Sequence, residues 1–147
     1  MIQLFTELQE KKNVRSNLSA LRASLKEATE EQKAQAIEFV RGHEDLVFGF
    51  LQEEDAKTRK NAALLLGDLA VQNALQPLWK AYTREQTLFV KSAYLEAMKA
   101  LHAEEILSQL KDRLAELEGE PVTEENRKHR EAELRALRAI LIQIGRA

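Results

Sequence analysis

The chain has 147 residues, with 44% apolar and 31% charged side chains and a formal net charge of −2, which is ordinary for one soluble domain. It contains no cysteine, which excludes disulfides, thiolate metal sites and cysteine nucleophiles. The segment from Met1 to Lys12 becomes charged within ten residues, and the longest apolar run, Ala62 to Leu66, is far too short to span a membrane. We therefore expect a soluble, cytoplasmic protein with no membrane partner.

Residues 1–28 predict two helices that cover the end of a larger helical array. Residues 2–8 form the first helix, and Asn13 is expected to cap the second. The second helix runs to about Lys26, because four apolar residues recur four, three and four positions apart. These four residues are Val14, Leu18, Leu21 and Leu25.

Residues 29–54 predict a short and weakly patterned helix pair. Thr29 and Gln32 have the spacing of a capping box, in which each side chain bonds to the backbone of the other. Gly42 is the candidate C-cap of this helix. A second helix is predicted from Glu44 to Leu51.

Residues 55–86 predict a clearer helix pair. Asp55 is a good N-cap for a helix from Ala56 to about Ala70, since its carboxylate can accept free backbone N–H groups. Gly67 has no side chain and would let a neighbouring helix approach closely. Val71 to Asn73 form a tight connection, and the partner helix runs from about Ala74 to Tyr82.

Residues 87–118 repeat this pattern at an offset of 32 residues, with Thr87 as the expected N-cap. The aligned pairs are Arg59 with Lys91, Leu66 with Met98, Leu69 with Leu101, Leu75 with Leu107 and Leu78 with Leu110. Two helices recurring at a fixed period of this length are typical of an α-solenoid.

The repeat resembles the HEAT-repeat family. The matching features are the acid Asp55, the base Arg59 four positions on, the Ala62–Ala63 pair and the run Leu66-Gly67-Asp68-Leu69. The second copy keeps the basic residue and two apolar positions, and has other residues at the alanines and the glycine. The resemblance implies an all-α, short HEAT-like superhelix of about seven to nine helices within a single domain.

Residues 122–147 predict a last helix after the Gly119 to Pro121 break, with Thr123 as its cap. Its apolar stripe is Leu134, Leu137, Leu141 and Ile144, with Ile140 beside it. We expect the charged half from Asn126 to Glu133, and the basic residues that follow it, to be a solvated face. The stop after an apolar helix end suits a region of a longer protein, and it suits a natural terminus equally.

A basic group in the two central repeats is the main candidate binding site. Residues 56–100 carry seven basic and three acidic residues, a local balance of +4. The candidate partner-binding residues are Lys57, Arg59, Lys60, Lys80, Arg84 and Lys91. Cations in the first turns of a helix oppose the helix dipole, so a phosphate-binding role is one interpretation. The alternative is that Arg59 pairs with Asp55 or Glu53 and that the lysines simply solvate the surface.

Four aromatic residues lie at the junction of the central repeats: Trp79, Tyr82, Phe89 and Tyr94. They form either a stacking platform for a ligand or, as their helical spacing favours, part of the core between repeats. Of the four, Trp79 is the one the core needs least.

The histidines His43, His102 and His129 have no second ligand at metal-binding spacing, and His102 is read as a turn residue. No phosphate loop, nucleophile elbow or identifiable catalytic triad is present in the sequence. We therefore predict no catalytic, metal or cofactor residues.

The leading hypothesis is a non-enzymatic binding module that presents a ridge of helices to RNA, another nucleic acid or a protein. This module would suit the accessory N-terminal region of a larger nucleic-acid-modifying enzyme such as a methyltransferase. The alternatives are a protein scaffold and an enzyme similar to the HEAT-like DNA glycosylases, in which a central acid such as Asp68 would act. The HEAT-like chromophore lyases are a further alternative, again without a motif to carry over.

Overall fold

A computed structural model describes residues 1–146, and the side chain of Arg146 is not described. These residues form nine α-helices and no strand. The helices are α1 (Ile2–Gln9), α2 (Val14–Leu25), α3 (Glu30–Gly42), α4 (Glu44–Gly49), α5 (Ala56–Asp68), α6 (Leu75–Arg84), α7 (Leu88–Lys99), α8 (Leu107–Gly119) and α9 (Arg127–Arg146). Short 3-10 turns at Phe50–Gln52, Gln72–Ala74 and Ala103–Ile106 precede or follow them. The all-α prediction is therefore confirmed for the described chain.

Four helices pack in sequence, with α2 against α5, α5 against α7, and α7 against α9. Three of the remaining helices pack onto members of this row: α1 on α2, α6 on α7, and α8 on α9, while α3 packs against α4. One continuous cluster of buried apolar side chains extends from Leu8 to Ile140. By contrast, α3 buries Ala36 and Val40 and leaves most of its other side chains exposed.

Helices α5 and α7 approach each other closely at Gly67, the glycine that the sequence analysis predicted to allow such an approach. A methyl group added to Gly67 would lie 2.9 Å from the Cα of Ala97, a distance that real side chains do not adopt. The absence of a side chain at Gly67 therefore sets the separation of these two helices.

Caps agree with the sequence at two of the helix starts. The Asp55 carboxylate accepts bonds from the backbone N–H and the hydroxyl of Thr58, at 2.9 and 2.8 Å. Thr29 and Gln32 form the predicted capping box. Each cap satisfies backbone donors that the first helical turn leaves free.

Three other predicted caps differ from the structure, two because the side chain makes no capping bond and one because it lies one residue early. Asn13 and Thr87 occupy N-cap positions without a side-chain bond, and Asn13 is left-handed, with φ 47°. Gly42 is the last helical residue, and His43 follows it as the C-cap. Thr123 makes the bonds of the predicted cap: its hydroxyl accepts from the Asn126 N–H at 3.2 Å and its own N–H donates to the Asn126 side chain at 2.8 Å, across the turn that leads into α9 at Arg127.

The end of α5 differs from the sequence expectation. The predicted helix to Ala70 stops at Asp68, because Ala70 adopts a left-handed conformation with φ 51°. The N–H groups of Ala70 and Val71 bond back to the carbonyls of Gly67 and Leu66, which is the Schellman arrangement. Alanine occupies a position where glycine is usual.

Candidate binding surface around α6

Helix α6 has an open groove on one side and a smaller cavity on the other. Gln76, Lys80 and Arg84 recur every four residues and line the groove, whereas Trp79 and Tyr82 line the cavity. Residues four apart share a helix face, so this division follows from the sequence spacing. Pro77 lies in the first turn of α6, where its missing N–H has no helical partner to lose.

The groove, called the α6 groove below, has a volume of about 710 Å³. Its apolar lining includes Phe48, Leu51, Pro77 and Ala81. The charged lining consists of Arg59, Lys80 and Arg84 together with Glu53, Glu54 and Glu85. Basic and acidic side chains are therefore balanced in number along this groove.

Arg59 ties the groove together within what we call the Glu85 cluster, comprising Arg59, Glu85 and Tyr94. The guanidinium donates two bonds to the Glu85 carboxylate, at 2.8 and 2.9 Å. It also donates to the carbonyls of Glu53 and Glu54, each at 2.8 Å. The Tyr94 hydroxyl lies 3.2 Å from the same carboxylate. Arg59 thus joins the segment before α5 to the connection before α7.

The cavity on the other side of α6 has a volume of about 360 Å³ and contains the buried acid Glu133, which is 2% exposed. Lys91 and the Nε of Arg113 donate to its carboxylate at 3.1 and 3.0 Å. The Tyr82 hydroxyl donates to it as well, and His129 Nε2 lies 3.7 Å away. These five residues are called the Glu133 cluster below.

Both buried carboxylates remain ionised at neutral pH. Burial alone would raise the pKa of Glu133, but bonds from Arg113 and Tyr82 outweigh it and lower the pKa below its usual range. Burial alone would likewise raise the pKa of Glu85, but the hydrogen bonds from Arg59 outweigh burial and lower this pKa. A carboxylate held in its charged form is poorly suited to donate a proton as a general acid.

The pKa values of the two tyrosines and of His129 shift in the direction that burial favours, whereas hydrogen bonds to Glu85 and Glu133 raise the pKa values of Arg59 and Arg113 against burial. Burial and the neighbouring carboxylates raise the pKa of both Tyr82 and Tyr94 far above the ordinary range. Burial first, and then the charge of Lys91, lower the pKa of His129, although Glu133 opposes this. His129 Nε2 is also buried without a hydrogen bond in the described part of the chain.

The structure divides the predicted basic group. Arg59 and Lys91 lie in ion pairs with side chains only 17% and 14% exposed, whereas the prediction placed them with the other cations on one basic ridge. The alternative prediction paired Arg59 with the side chain of Asp55 or Glu53. Arg59 instead pairs with the carboxylate of Glu85, and Glu53 accepts from it only through its backbone carbonyl. The other four residues form no salt bridge with any described residue, and two of them line the α6 groove. These four are Lys57, Lys60, Lys80 and Arg84.

The predicted aromatic group also separates. Tyr82 and Tyr94 are 2% and 0% exposed, which confirms the core interpretation for them. Phe89 is 47% exposed, so that interpretation was wrong there. Trp79 is half-buried in the cavity wall, with its ring centroid 5.4 Å from that of Tyr82.

The charged start of α9 was predicted to be solvated, which was wrong for Glu133. Arg130 is half-buried and donates to the Glu118 carbonyl at 3.1 Å, while Arg138 bonds to the Glu118 carboxylate at 3.2 Å. The central acid Asp68 forms an ion pair with Arg22 at 2.7 Å. Within residues 1–146, no group of three or more metal-ligating side chains is placed to hold an ion.

Sequence reasoning missed Glu85 and Glu133 as organising residues. Glu85 follows α6 directly and precedes the Thr87 cap, so an acid at the repeat boundary was a readable signal. Glu133 is separated from Lys91 by 42 residues, and only the packing of α9 on α7 brings them together.

None of the helices in the described range has the length and apolarity that a membrane span requires. No protein-family model, curated protein or solved structure matches this chain.

Proposed function

We propose that this protein is a non-enzymatic helical-repeat binding module that receives a segment of a partner protein in the α6 groove. The observation that carries the proposal is the groove itself, about 710 Å³, open to solvent and lined by both apolar and charged side chains. Partner sites in proteins combine an apolar centre with polar groups that fix orientation. Phe48, Leu51 and Pro77 supply the first element, and Lys80 and Arg84 supply the second.

The charges in the groove favour a protein partner over a nucleic acid. Lys80 and Arg84 lie four residues apart on α6, whereas Glu53 and Glu54 lie on the segment before α5. A polyanion would meet repulsion from the acidic segment, because nucleic-acid affinity depends on several phosphates being neutralised together. A peptide with an acidic and a basic side chain can complement both segments.

Arg59 supports the proposal by holding the groove in shape before a partner arrives. Its guanidinium makes four bonds of 2.8–2.9 Å to Glu85 and to the carbonyls of Glu53 and Glu54. Groups already ordered in the free protein lose less conformational entropy on binding.

The non-enzymatic part of the proposal is supported by the state of the buried acids. Glu85 and Glu133 are saturated by cations and hydroxyls, which leaves neither free to exchange protons with a substrate. The row of α2, α5, α7 and α9 supports a HEAT-like superhelix as part of the same proposal. A cytoplasmic location and a place in a larger nucleic-acid-modifying enzyme are part of the same proposal.

Selection from a random peptide library against the intact chain tests the proposal. Selected peptides are then titrated against a groove variant, Lys80→Glu with Arg84→Glu, and against the matched control, Lys57→Glu with Lys60→Glu. We expect at least about a tenfold loss of affinity for the groove variant and little change for the control, since the control lysines do not line the groove.

Amide shifts in the NMR spectrum should fall on the groove residues. Selected peptides that bind both variants equally would overturn the proposed site. A fluorescent RNA that binds wild type with steep salt dependence, and fails to bind the groove variant, would replace the protein partner with a nucleic acid.

A further inference from the structure

A second opening lies at the other end of α5, between the end of α2 and the side of α3. It has a volume of about 440 Å³, and we call it the Arg22 pocket. Arg59 and Asp68 are nine residues apart on α5, about 13 Å along the helix axis, so the pocket and the α6 groove lie at opposite ends of one helix. The two openings have no lining residue in common.

The pocket combines an apolar lining with an excess of positive charge. Leu25, Ile37, Leu69 and Ala70 supply the apolar surface. Its charged lining residues are Arg22, Lys26, Lys33 and Asp68, three cations against one acid. This excess distinguishes the Arg22 pocket from the α6 groove, where cations and acids are equal in number.

The cations are only partly neutralised by the protein itself. Arg22 donates through Nε to Asp68 at 2.7 Å, and its two terminal nitrogens make no hydrogen bond to any described residue. Lys33 lies 3.8 Å from Glu30, a weak pair because the Glu30 side chain is 96% exposed. Lys26 forms no salt bridge within residues 1–146. Donors for an incoming anion therefore remain free.

From these observations we infer that the Arg22 pocket binds a single-chain amphiphile with a carboxylate head, that is, a medium-chain fatty acid. The terminal N–H groups of an arginine match the two oxygens of a carboxylate. Leu25, Ile37 and Leu69 would contact the alkyl chain. The volume falls within the range of about 300–1,000 Å³ that is common for small-molecule sites.

The test titrates the intact chain with decanoate below its micelle-forming concentration and follows backbone amide shifts. Decyltrimethylammonium, with the same chain and a cationic head, is the matched probe. We expect decanoate to shift the amides of α2, α3 and the end of α5, and decyltrimethylammonium to bind at least about tenfold more weakly. Along hexanoate, octanoate and decanoate, affinity should rise by up to about fourfold per methylene that contacts the pocket.

The variant Lys26→Glu with Lys33→Glu changes two exposed side chains and should keep the fold, as thermal unfolding would verify. It should bind decanoate at least about tenfold more weakly, whereas Lys57→Glu with Lys60→Glu, which line neither opening, should bind it like wild type. Equal binding of the two probes, shifts confined to the α6 groove, or no decanoate shift at all would each overturn the inference.

Discussion

The Glu85 cluster and the Glu133 cluster each contain a cation at the fourth position of a helix. This cation is Arg59 on α5 in the first cluster and Lys91 on α7 in the second. They differ in the source of the acid. Glu85 comes from the connection just before α7, whereas Glu133 comes from the second turn of α9. Glu85 meets a single cation, and Glu133 meets two cations and a histidine.

This difference teaches that a cation at the same position of two helices can have two different structural roles. Arg59 has carbonyl partners in addition to its acid and shapes an open groove. Lys91 has one carboxylate partner, the almost completely buried Glu133, which it shares with Arg113, and Arg113 also pairs with Glu116 at 2.9 Å. The first cluster organises a surface, and the second holds the last helix against its neighbours.

The largest expected effect on stability comes from replacing Glu133 and Glu85, the carboxylates at the centres of the two clusters, one at a time. Glu133→Gln should lower the free energy of unfolding by about 3–5 kcal/mol, because it leaves Lys91, only 14% exposed, without a counter-charge and removes the most buried of the acids that pair with Arg113. Glu85→Gln should cost about 1.5–3 kcal/mol, since Arg59 keeps its two carbonyl acceptors. Urea unfolding with unchanged m-values measures both. Equal losses would contradict the distinction between the clusters.

Removing the tyrosine hydroxyls sharpens the same comparison. Tyr82→Phe should cost about 1.5–3 kcal/mol, because the hydroxyl bonds to a buried charged group. Tyr94→Phe should cost about 0.5–1.5 kcal/mol, because its bonds are longer, 3.2 and 3.4 Å, and Arg59 still satisfies Glu85. Thermal and urea unfolding of the two variants side by side would check the order, and a larger loss for Tyr94→Phe would reverse our assignment.

Gly67 tests whether the two clusters depend on the spacing of the helices that carry their cations. Gly67→Ala should cost about 1–3 kcal/mol, because the added methyl would lie 2.9 Å from the Ala97 backbone. The control is Gly49→Ala, a helical position with nothing within 4 Å, which should gain up to about 1 kcal/mol. A neutral Gly67→Ala, measured by urea unfolding, would show that α5 and α7 separate easily.

Only the Glu133 cluster, which contains His129, should lose stability between about pH 6.5 and pH 4.5. The pKa of His129 is lowered from 6.5, so the folded state favours neutral histidine, and stability falls as pH drops from about 6.5 toward the folded value. Glu85 and Glu133 have pKa values lowered from 4.5, so their contribution is complete above that pH and is lost below it.

The variant His129→Gln should therefore flatten the stability profile above about pH 4.5 and leave the steeper loss below it. Chemical unfolding at a series of pH values measures this small effect. His102→Gln, at an exposed residue before a 3-10 turn, is the control. If stability depends on pH in His129→Gln as it does in wild type, then the charge of His129 does not affect the stability of the Glu133 cluster.

Most of the helices could be predicted from the sequence because their apolar residues recur with helical spacing. The start of α5 at Asp55, the boundary at Thr87 and the break before Pro121 all carry local signals. The ends were harder, since Ala70 gives no sign of the left-handed turn that glycine would announce. The first regular residue of α9, Arg127, was also hard to predict, because an irregular turn separates it from the Thr123 cap.

The candidate site was predicted less well because charge pairing depends on distant residues. The basic group was recognised, but nothing local to Lys91 reveals Glu133, 42 positions later. Spacing also made Glu133 look like part of a solvated face, since charged residues surround it in sequence. Helix packing, which the periodic pattern does not specify in three dimensions, decides which charges are buried.

The sparse packing of α3 has a consequence for motion. Few buried side chains hold this helix, so its amide protons should exchange with solvent through local opening, whereas those of α5 should await near-global unfolding. Lys33 and Ile37 belong to α3 and form one wall of the Arg22 pocket. Brief detachment of α3 would widen that entrance while the α6 groove, tied by Arg59, keeps its shape.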